Sequence, residues 1–136
     1  MKKLENYSNC LKVLKNADFS EAENNEIYRT GIIGQYDLTF ELSWKAMQEV
    51  LQLQGVTDFR GGSPRDILQA GYKFGLFDDE ALWLTMLKKR NLAIHVYNED
   101  EVNEMVHLIR DSFIPAFVTL EKTLKEKTAE AEKDSL

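Results

Sequence analysis

The stretch IIGQYDLTFELSWKAMQEVL, residues 32–51, decides the fold because its apolar residues recur at spacings of three and four. That spacing predicts one buried stripe along an α-helix, made of Ile33, Tyr36, Phe40, Trp44, Met47 and Leu51. A second apolar set lies on a different face of the same helix and comprises Leu42, Ala46, Val50 and Leu53. A helix that is apolar on two faces is either central to its bundle or also covers a partner. We therefore predict a long helix over residues 21–54, about 50 Å in length.

Capping residues indicate where the helices begin and end. A side-chain acceptor followed by an acid three residues later is typical of a helix start, and it occurs at Ser20 with Glu23, Ser63 with Asp66, and Asn98 with Glu101. Gly55 and Gly75 stand where helices are expected to stop. The predicted helices are 2–16, 21–54, 64–74, 79–94 and 99–126.

The last predicted helix contains Pro115, which lacks a backbone N–H and is expected to kink or break it near residues 111–114. No segment shows the alternating pattern of a strand. The fold class is therefore all-α: an antiparallel helical bundle of about five helices, with a four-helix up-and-down core. We expect one domain over residues 1–127, followed by a frayed acidic tail over residues 128–136.

Charge and cysteine content narrow the classes of function. The chain has 136 residues and a formal net charge of −6, so its surface as a whole repels nucleic acid. Residues 60–97 differ from the rest because they carry 6 Lys and Arg against 4 Asp and Glu. The single cysteine, Cys10, suits a reducing compartment, and no apolar run is long enough to span a membrane. A cytoplasmic protein without a membrane segment is expected.

The segment Arg90-Asn91-Leu92-Ala93-Ile94-His95-Val96-Tyr97 carries the strongest functional signal. Arginine binds phosphate in a bidentate fork, and histidine exchanges a proton near neutral pH. On an unbroken helix, residues five apart point about 140° away from each other, so Arg90 and His95 converge only if the helix ends near Ala93 or a second chain supplies one of them. The alternative is that Arg90 and its neighbouring lysines are helix C-terminal cations, with His95 and Tyr97 in a loop.

These residues also resemble a known family. The pattern of Arg90, Asn91, His95 and Tyr97 is similar to the signature of HEPN domains (higher eukaryotes and prokaryotes nucleotide-binding), in the bacterial branch of nucleotidyltransferase substrate-binding proteins. The resemblance extends over roughly residues 25–125, through Tyr28–Gly31, Tyr36–Lys45, Ser63–Arg65, the turn from Ala70 to Leu76, and Trp83.

The resemblance implies a function and a partner. Family members are helical bundles that dimerise with their Arg-x4-His segments facing each other, and many are toxins that cut RNA without a metal or other cofactor. Arg90 is then expected to bind a phosphate, His95 to act as general acid or base, and Asn91 to orient the site. A partner minimal nucleotidyltransferase is expected to silence the toxin by attaching adenylate to Tyr97. The branch name implies a different role, in which the chain presents a nucleotide or substrate to that partner.

A second, weaker candidate is the turn Arg60-Gly61-Gly62-Ser63-Pro64-Arg65, at a helix N-terminus where free N–H groups favour anions. Arg60, Ser63 and Arg65 are candidate phosphate contacts there, with Lys89 as a further one. A capped turn between helices accounts for the same residues.

Other polar and aromatic residues have ordinary structural interpretations. Glu41 and Lys45 are expected to form an exposed helical ion pair, and Asp37 with Glu41 is poor evidence for a metal site. Trp44 and Trp83 are interpreted as core residues. Gly31 and Gly34 are interpreted as a place where another helix approaches closely.

Three functional hypotheses remain from the sequence. The first is a metal-independent ribonuclease of toxin type, with Arg90 and His95 drawn from two subunits. The second is a non-catalytic subunit that binds nucleotide or substrate for a separately encoded nucleotidyltransferase, because the chain has no Gly-Ser motif followed by paired aspartates. The third is a helical module that dimerises through its long helix and has no activity.

Overall fold

The computed structural model describes residues 1–59, 61–93 and 98–134, and the side chains of residues 91–93 and 134 lie outside that description. The helices are α1 (Lys2–Lys15), α2 (Phe19–Ala22), α3 (Glu26–Leu53), α4 (Pro64–Lys73), α5 (Glu80–Ala93), α6 (Glu99–Leu108) and α7 (Ile114–Asp134). A π-helical turn, Ile109–Phe113, joins α6 to α7. No strand occurs in the described ranges, and the predicted all-α fold class is confirmed.

Helix α3 is the centre of the bundle, and it packs against α1, α4, α5, α6 and α7. Its predicted stripe faces inward, with Tyr36, Phe40, Met47 and Leu51 fully buried. The second apolar face is also buried at Ala46 and Val50. A helix surrounded by its neighbours must be apolar on more than one side, which accounts for the two stripes.

Aromatic side chains fill the middle of the core. The rings of Tyr36 and Phe113 stack with centroids 5.3 Å apart, and Trp83 packs against Phe77 and Phe117 at 5.2 and 5.7 Å. Two buried phenols find backbone acceptors: Tyr7 donates to the carbonyl of Phe117, and Tyr36 to that of Met86, each at 2.7 Å. Trp83 is 2% exposed, which confirms its predicted core position, whereas Trp44 is only partly buried.

The prediction of one helix over residues 21–54 was wrong at its start, because α2 ends at Ala22 and α3 begins at Glu26. Ser20 does not cap a helix. The Asp18 carboxylate accepts from the N–H groups of Ser20 and Glu21, at 3.0 and 3.3 Å, and Asn25 caps α3. A carboxylate beside a helix N-terminus is favoured by the dipole over a neutral hydroxyl, so Asp18 takes the cap.

A buried arginine holds the junction between α2 and α3. The guanidinium of Arg29 donates to the carbonyl of Ala22 at 2.7 Å and to that of Glu23 at 3.4 Å. These carbonyls belong to the end of α2, where helical acceptors lack partners within the helix. The chain therefore turns between the helices without leaving the carbonyl of Ala22 unpaired.

The remaining helix ends follow the predicted chemistry. Ser63 and Asp66 form a complete capping box, and Asn98 accepts from the N–H groups of Asp100 and Glu101. Gly55 and Gly75 adopt φ values of +88° and +77° just beyond α3 and α4. Such left-handed positions favour glycine because it has no Cβ.

The regular α-helix is interrupted just before Pro115, near the predicted place, although the chain remains helical there. The chain passes it through the π-helical turn Ile109–Phe113 and continues as α7. A π turn is a wider local coil, which relieves the clash between a proline ring and the preceding turn. The predicted end of the last helix at residue 126 was wrong, because α7 continues to Asp134. The domain boundary at residue 127 and the fraying of residues 128–136 stay predictions.

Within the residues that the structure describes, no helix combines the length and the apolar character that crossing a bilayer requires.

Candidate functional site

Helix α5 is fixed against α3 by the contacts that place Arg90. Trp83 packs on Phe40 with ring centroids 6.2 Å apart, and the carbonyl of Met86 accepts the hydrogen bond of Tyr36. Residues 83, 86 and 90 recur at spacings of three and four, so all three lie on the face of α5 that meets α3. Arg90 follows with its Cζ atom 5.7 Å from the centre of the Phe40 ring.

A short ion pair sets the orientation of the Arg90 guanidinium. Its Nη1 atom lies 2.7 Å from Oε2 of Glu41, and the two side chains are 26% and 32% exposed. The same carboxylate accepts from Nε1 of Trp44 at 3.1 Å, and Lys45 approaches its other oxygen at 3.6 Å. Partial burial weakens solvent screening, and a charge-assisted hydrogen bond of this length is stronger than a neutral one. The orientation of the Arg90 side chain is therefore set by a residue of α3, not only by its own helix α5.

Asp37 lies one helical turn before Glu41 on α3, and it is half-buried. Its Oδ1 atom is shielded from solvent and has no hydrogen-bond partner in the described part of the chain. Burial raises the pKa of Asp37 from 3.8 to about 6, although the nearby charge of Arg90 acts to lower it. Asp37, Phe40, Glu41 and Arg90 are called the Arg90 cluster below.

Replacing Asp37 by asparagine is expected to stabilise the protein at pH 7–8 and to have almost no effect at about pH 3. Because the folded pKa is raised from 3.8 to about 6, the folded state holds the proton more tightly, and stability is lost as the pH rises from the unfolded to the folded value; below 3.8 both states hold the proton. Because Asp37 is half-exposed, the gain is on the order of 1 kcal/mol after allowance for solvent screening. Thermal unfolding at several pH values measures it, as a rise of about 3–5 °C at neutral pH.

Asp111→Asn is the matched control for that measurement. Asp111 is exposed and paired with Arg110 at 2.7 Å, which lowers its pKa instead of raising it. The Asp111→Asn protein should therefore show no gain at neutral pH. An Asp37→Asn protein that is no more stable than the parent at pH 8 would contradict the account of this carboxyl.

Part of the predicted site lies outside the described residues. His95 and Tyr97 are in the segment 94–97, and the Asn91 side chain is also outside, although its backbone belongs to α5. Helix α5 is described as far as Ala93. The relative placement of Arg90 and His95 therefore stays a prediction, as do the roles of Asn91 and Tyr97.

The turn before α4 is occupied by a carboxylate of the protein itself. Asp66 accepts from the N–H groups of Gly61 and Ser63 at 3.2 and 3.3 Å, and the Ser63 hydroxyl caps Asp66 in return. A phosphate bound there would have to displace this carboxylate. Arg60 lies outside the described residues, Arg65 is exposed on α4, and Lys89 is partly buried on α5. Their phosphate contacts remain predictions.

Two residues of the Arg90 cluster, Glu41 and Asp37, were not predicted from the sequence to belong to the site. Glu41 was predicted to pair with Lys45, and that contact is present at 3.6 Å, but the shorter contact of Glu41, at 2.7 Å, is with Arg90. Asp37 was considered only as a poor metal ligand. The signal that was available is that 37 and 41 are four apart and flank Phe40, so both lie near the face that meets α5.

Comparison with known proteins gives the family. Residues 2–126 match the family described as "Nucleotidyltransferase substrate binding protein like". No curated protein is similar enough in sequence to count as a match.

Three solved structures share the fold. HI0074 from Haemophilus influenzae, described as having the fold of a substrate binding domain of a nucleotidyltransferase, is 23% identical with a TM-score of 0.74, over 90% of this chain and 98% of that one. A protein from Thermus thermophilus is 26% identical with a TM-score of 0.71, over 89% and 97% of the two chains. A mutant of the toxin–antitoxin MntA-HpeT is 19% identical with a TM-score of 0.69, over 92% and 96%. With the family match spanning nearly the whole length, the chain belongs to the nucleotidyltransferase substrate binding protein-like family.

Proposed function

We propose that this chain is the helical partner of a separately encoded minimal nucleotidyltransferase, and that it cuts RNA without a metal ion. The observation that carries the proposal is the 2.7 Å contact between Arg90 and Glu41, which fixes a phosphate-binding side chain at the end of α5. Asn91 and His95 follow it directly in the sequence. The cytoplasm is the proposed compartment, supported by the single cysteine, Cys10.

The chemistry needs one cation and one proton carrier. Arg90 neutralises the phosphate as negative charge grows on its oxygens, and Asn91 orients the site. His95 takes the proton of the attacking 2′-hydroxyl or gives one to the leaving 5′-oxygen, a role that suits histidine because an unperturbed imidazole exchanges its proton near neutral pH. The local basic excess of residues 60–97 offsets the overall charge of −6 where RNA would bind.

A second copy of the chain is the proposed source of the missing half of the site. Ile27, Gly31, Gly34 and Leu38 form one face of α3, called the α3 stripe, and Ile27 and Leu38 are 85% and 51% exposed. Apart from the neighbouring backbone of α3 itself, no atom of the described residues would lie within 4 Å of a Cβ added at Gly31 or Gly34, so the predicted close helix approach does not occur among the described helices. The stripe ends one turn before Glu41, so a copy packed on it would lie beside the Arg90 cluster.

Cleavage of RNA in the presence of a chelator tests the ribonuclease. The unmodified protein is expected to cut, and the His95→Ala protein to lose at least about a hundredfold in rate, the usual worth of a general acid or base. His107→Ala is the matched control because His107 is the other histidine and is exposed on α6. Intact RNA with all three proteins would overturn the proposed ribonuclease activity. Equal cleavage by all three would show that the proposed His95 site is not what cuts the RNA.

Adenylation is proposed at Tyr97, with the nucleotidyltransferase as its source. Co-expression with that enzyme should add adenylate to this chain, seen by intact mass, and should abolish cleavage. The Tyr97→Phe protein should remain unmodified, and unchanged modification of that variant would exclude Tyr97 as the acceptor. The support is the family match and the fold shared with MntA-HpeT, which is itself a toxin–antitoxin.

A non-catalytic role is the second candidate, favoured by the family description and by that of HI0074. In that case Arg90 holds a nucleotide or substrate for the nucleotidyltransferase, and RNA stays intact while a complex with the enzyme still forms. A dimerisation module without activity is the third candidate, favoured by the α3 stripe. It predicts a dimer that binds neither RNA nor the enzyme.

A further inference from the structure

The Arg90 cluster has no spare positive charge for its proposed ligand. One guanidinium lies among two carboxyls, Glu41 in direct contact at 2.7 Å and Asp37 one helical turn earlier, and Lys45 lies 3.6 Å from Glu41. With both carboxyls ionised, these four groups sum to zero. A phosphate anion placed on Arg90 would then bring one uncompensated negative charge into a partly buried setting, where screening is weak.

Of the two carboxyls, Asp37 is the one whose charge can change. The Glu41 carboxylate is already in contact with three donors, Arg90, Trp44 and Lys45. Asp37 has no such partner among the described residues, and its buried Oδ1 atom is without a hydrogen bond. Burial already raises the pKa of this carboxyl to about 6, so a second nearby anion would bring its protonation within the neutral range.

We infer that an anionic phosphate ligand enters the Arg90 site together with a proton from solvent, which is taken up on the Asp37 carboxyl. The neutral carboxyl removes the repulsion and becomes a hydrogen-bond donor to the ligand. Asp37 is therefore a binding and positioning residue of this site. The inference rests on the proposed use of Arg90 as the phosphate-binding residue.

The charged and titratable groups around Asp37 fit this assignment. From α5, Arg90 is the charged side chain that acts on it. From α3, Glu41 lies one turn later, and the adjacent Tyr36 phenol donates to the Met86 carbonyl and stays neutral because burial raises its pKa. Since the phenol does not ionise and the Glu41 oxygens already face donors, the Asp37 carboxyl, with its unbonded Oδ1 atom, is the group of this set that takes the proton.

The test measures proton uptake on binding, in a His95→Asn background so that the motif histidine cannot contribute. The probe is a 2′-O-methyl oligoribonucleotide without terminal phosphates, which cannot be cut through its 2′-oxygen and carries only diesters. Titration calorimetry in buffers of different ionisation enthalpy, from pH 5.5 to 8, gives affinity and protons bound. The comparison protein carries Asp37→Asn in the same background, and Asp111→Asn serves as the exposed control.

In the His95→Asn protein, proton uptake should be largest near pH 7, between the free pKa of about 6 and the raised pKa of the complex, and should approach one proton per site there. Over the same window Kd should rise by up to about tenfold per pH unit. Adding Asp37→Asn should remove the uptake and hold Kd within about twofold over the range. That protein should bind roughly ten- to hundredfold more tightly than its parent at pH 8. The Asp111→Asn control should behave as the parent.

The outcomes separate this inference from the proposed function. A pH dependence and proton uptake unchanged by Asp37→Asn would overturn the inference even if the unmodified protein cuts RNA. If Asp37→Asn abolishes the proton uptake on binding but the unmodified protein leaves RNA intact, the inference is supported and the proposed ribonuclease activity is contradicted. Failure of the probe to bind even at pH 5.5 would overturn both.

Discussion

RNA cleavage by the Arg90→Lys protein is expected to be about a hundredfold slower or worse, although the positive charge is kept. The guanidinium is planar and carries several donors, so it can hold Glu41 on one nitrogen and present others to a phosphate. A lysine ammonium is a single compact charge, and at this position the 2.7 Å contact with Glu41 would compete directly with the ligand. The substitution would also remove the contact between the guanidinium and the Phe40 ring, whose centre lies 5.7 Å from Cζ of Arg90.

Initial rates of cleavage at several RNA concentrations measure this effect, with Arg110→Lys as the matched control. Arg110 is also paired with a carboxylate, at 2.7 Å from Asp111, but it is exposed and belongs to the π-helical turn. The control should cut at the parental rate. An Arg90→Lys protein within about threefold of the parent would show that charge alone suffices, contrary to the bidentate role of the guanidinium.

Replacing Trp83 by alanine is expected to lower the free energy of unfolding by about 3–5 kcal/mol. Trp83 is 2% exposed and lies among Phe40, Phe77 and Phe117, with ring centroids 5.2 to 6.2 Å away. Its removal leaves a cavity that surrounding rings of fixed shape cannot fill. Since a domain of this size is stable by only about 5–15 kcal/mol, the loss is a large fraction of the total.

Denaturant unfolding followed by circular dichroism measures that loss, and Phe74→Ala is the matched control. Phe74 is also aromatic but is 44% exposed beyond the end of α4, so its replacement should cost less than about 1 kcal/mol. Equal losses from the two substitutions would contradict the central position of Trp83. A folded Trp83→Ala protein should also cut RNA more slowly, because Trp83 lies seven residues before Arg90 on the same face of α5.

Helix periodicity predicted most of the fold because the core of this bundle is a continuous apolar stripe. The positions from Ile33 to Leu51 were predicted on the buried face and, except for the partly buried Trp44, they lie there. The division between α2 and α3 was missed because several residues in that region can cap a helix. Where α2 begins depends on which side chain accepts from the N–H groups of its first turn. Where it ends depends on Arg29, which donates to the carbonyl of Ala22 from the next helix.

The irregularity before Pro115 was predicted in place, but its π-helical form was not. Proline chemistry predicts the loss of one backbone hydrogen bond, and the sequence does not state whether the helix then ends or widens. The packing of Phe113 and Phe117 on Tyr36 holds both sides of the turn in the core. Tertiary burial on each side therefore keeps the helix continuous through a π turn.

The motif of the candidate site could be identified from the sequence because its residues lie close together in the chain, whereas the residues that contact Arg90 come from a distant segment. Arg90 is identified by the residues that follow it within one segment. Its partner Glu41 is 49 residues earlier, and spacing on α3 alone pointed to Lys45 instead. The raised pKa of Asp37 depends on how far the folded chain buries its carboxyl, which the spacing of residues does not reveal.

In the proposed site, Arg90 of one chain acts with His95 of another. Mixing inactive Arg90→Ala and His95→Ala proteins, after dissociation and reassociation, tests it most directly. In a two-fold symmetric dimer each mixed pair contains one intact site and one doubly defective site, so about a quarter of the parental cleavage rate should return. A mixture that remains as inactive as its two components would contradict a site shared between chains.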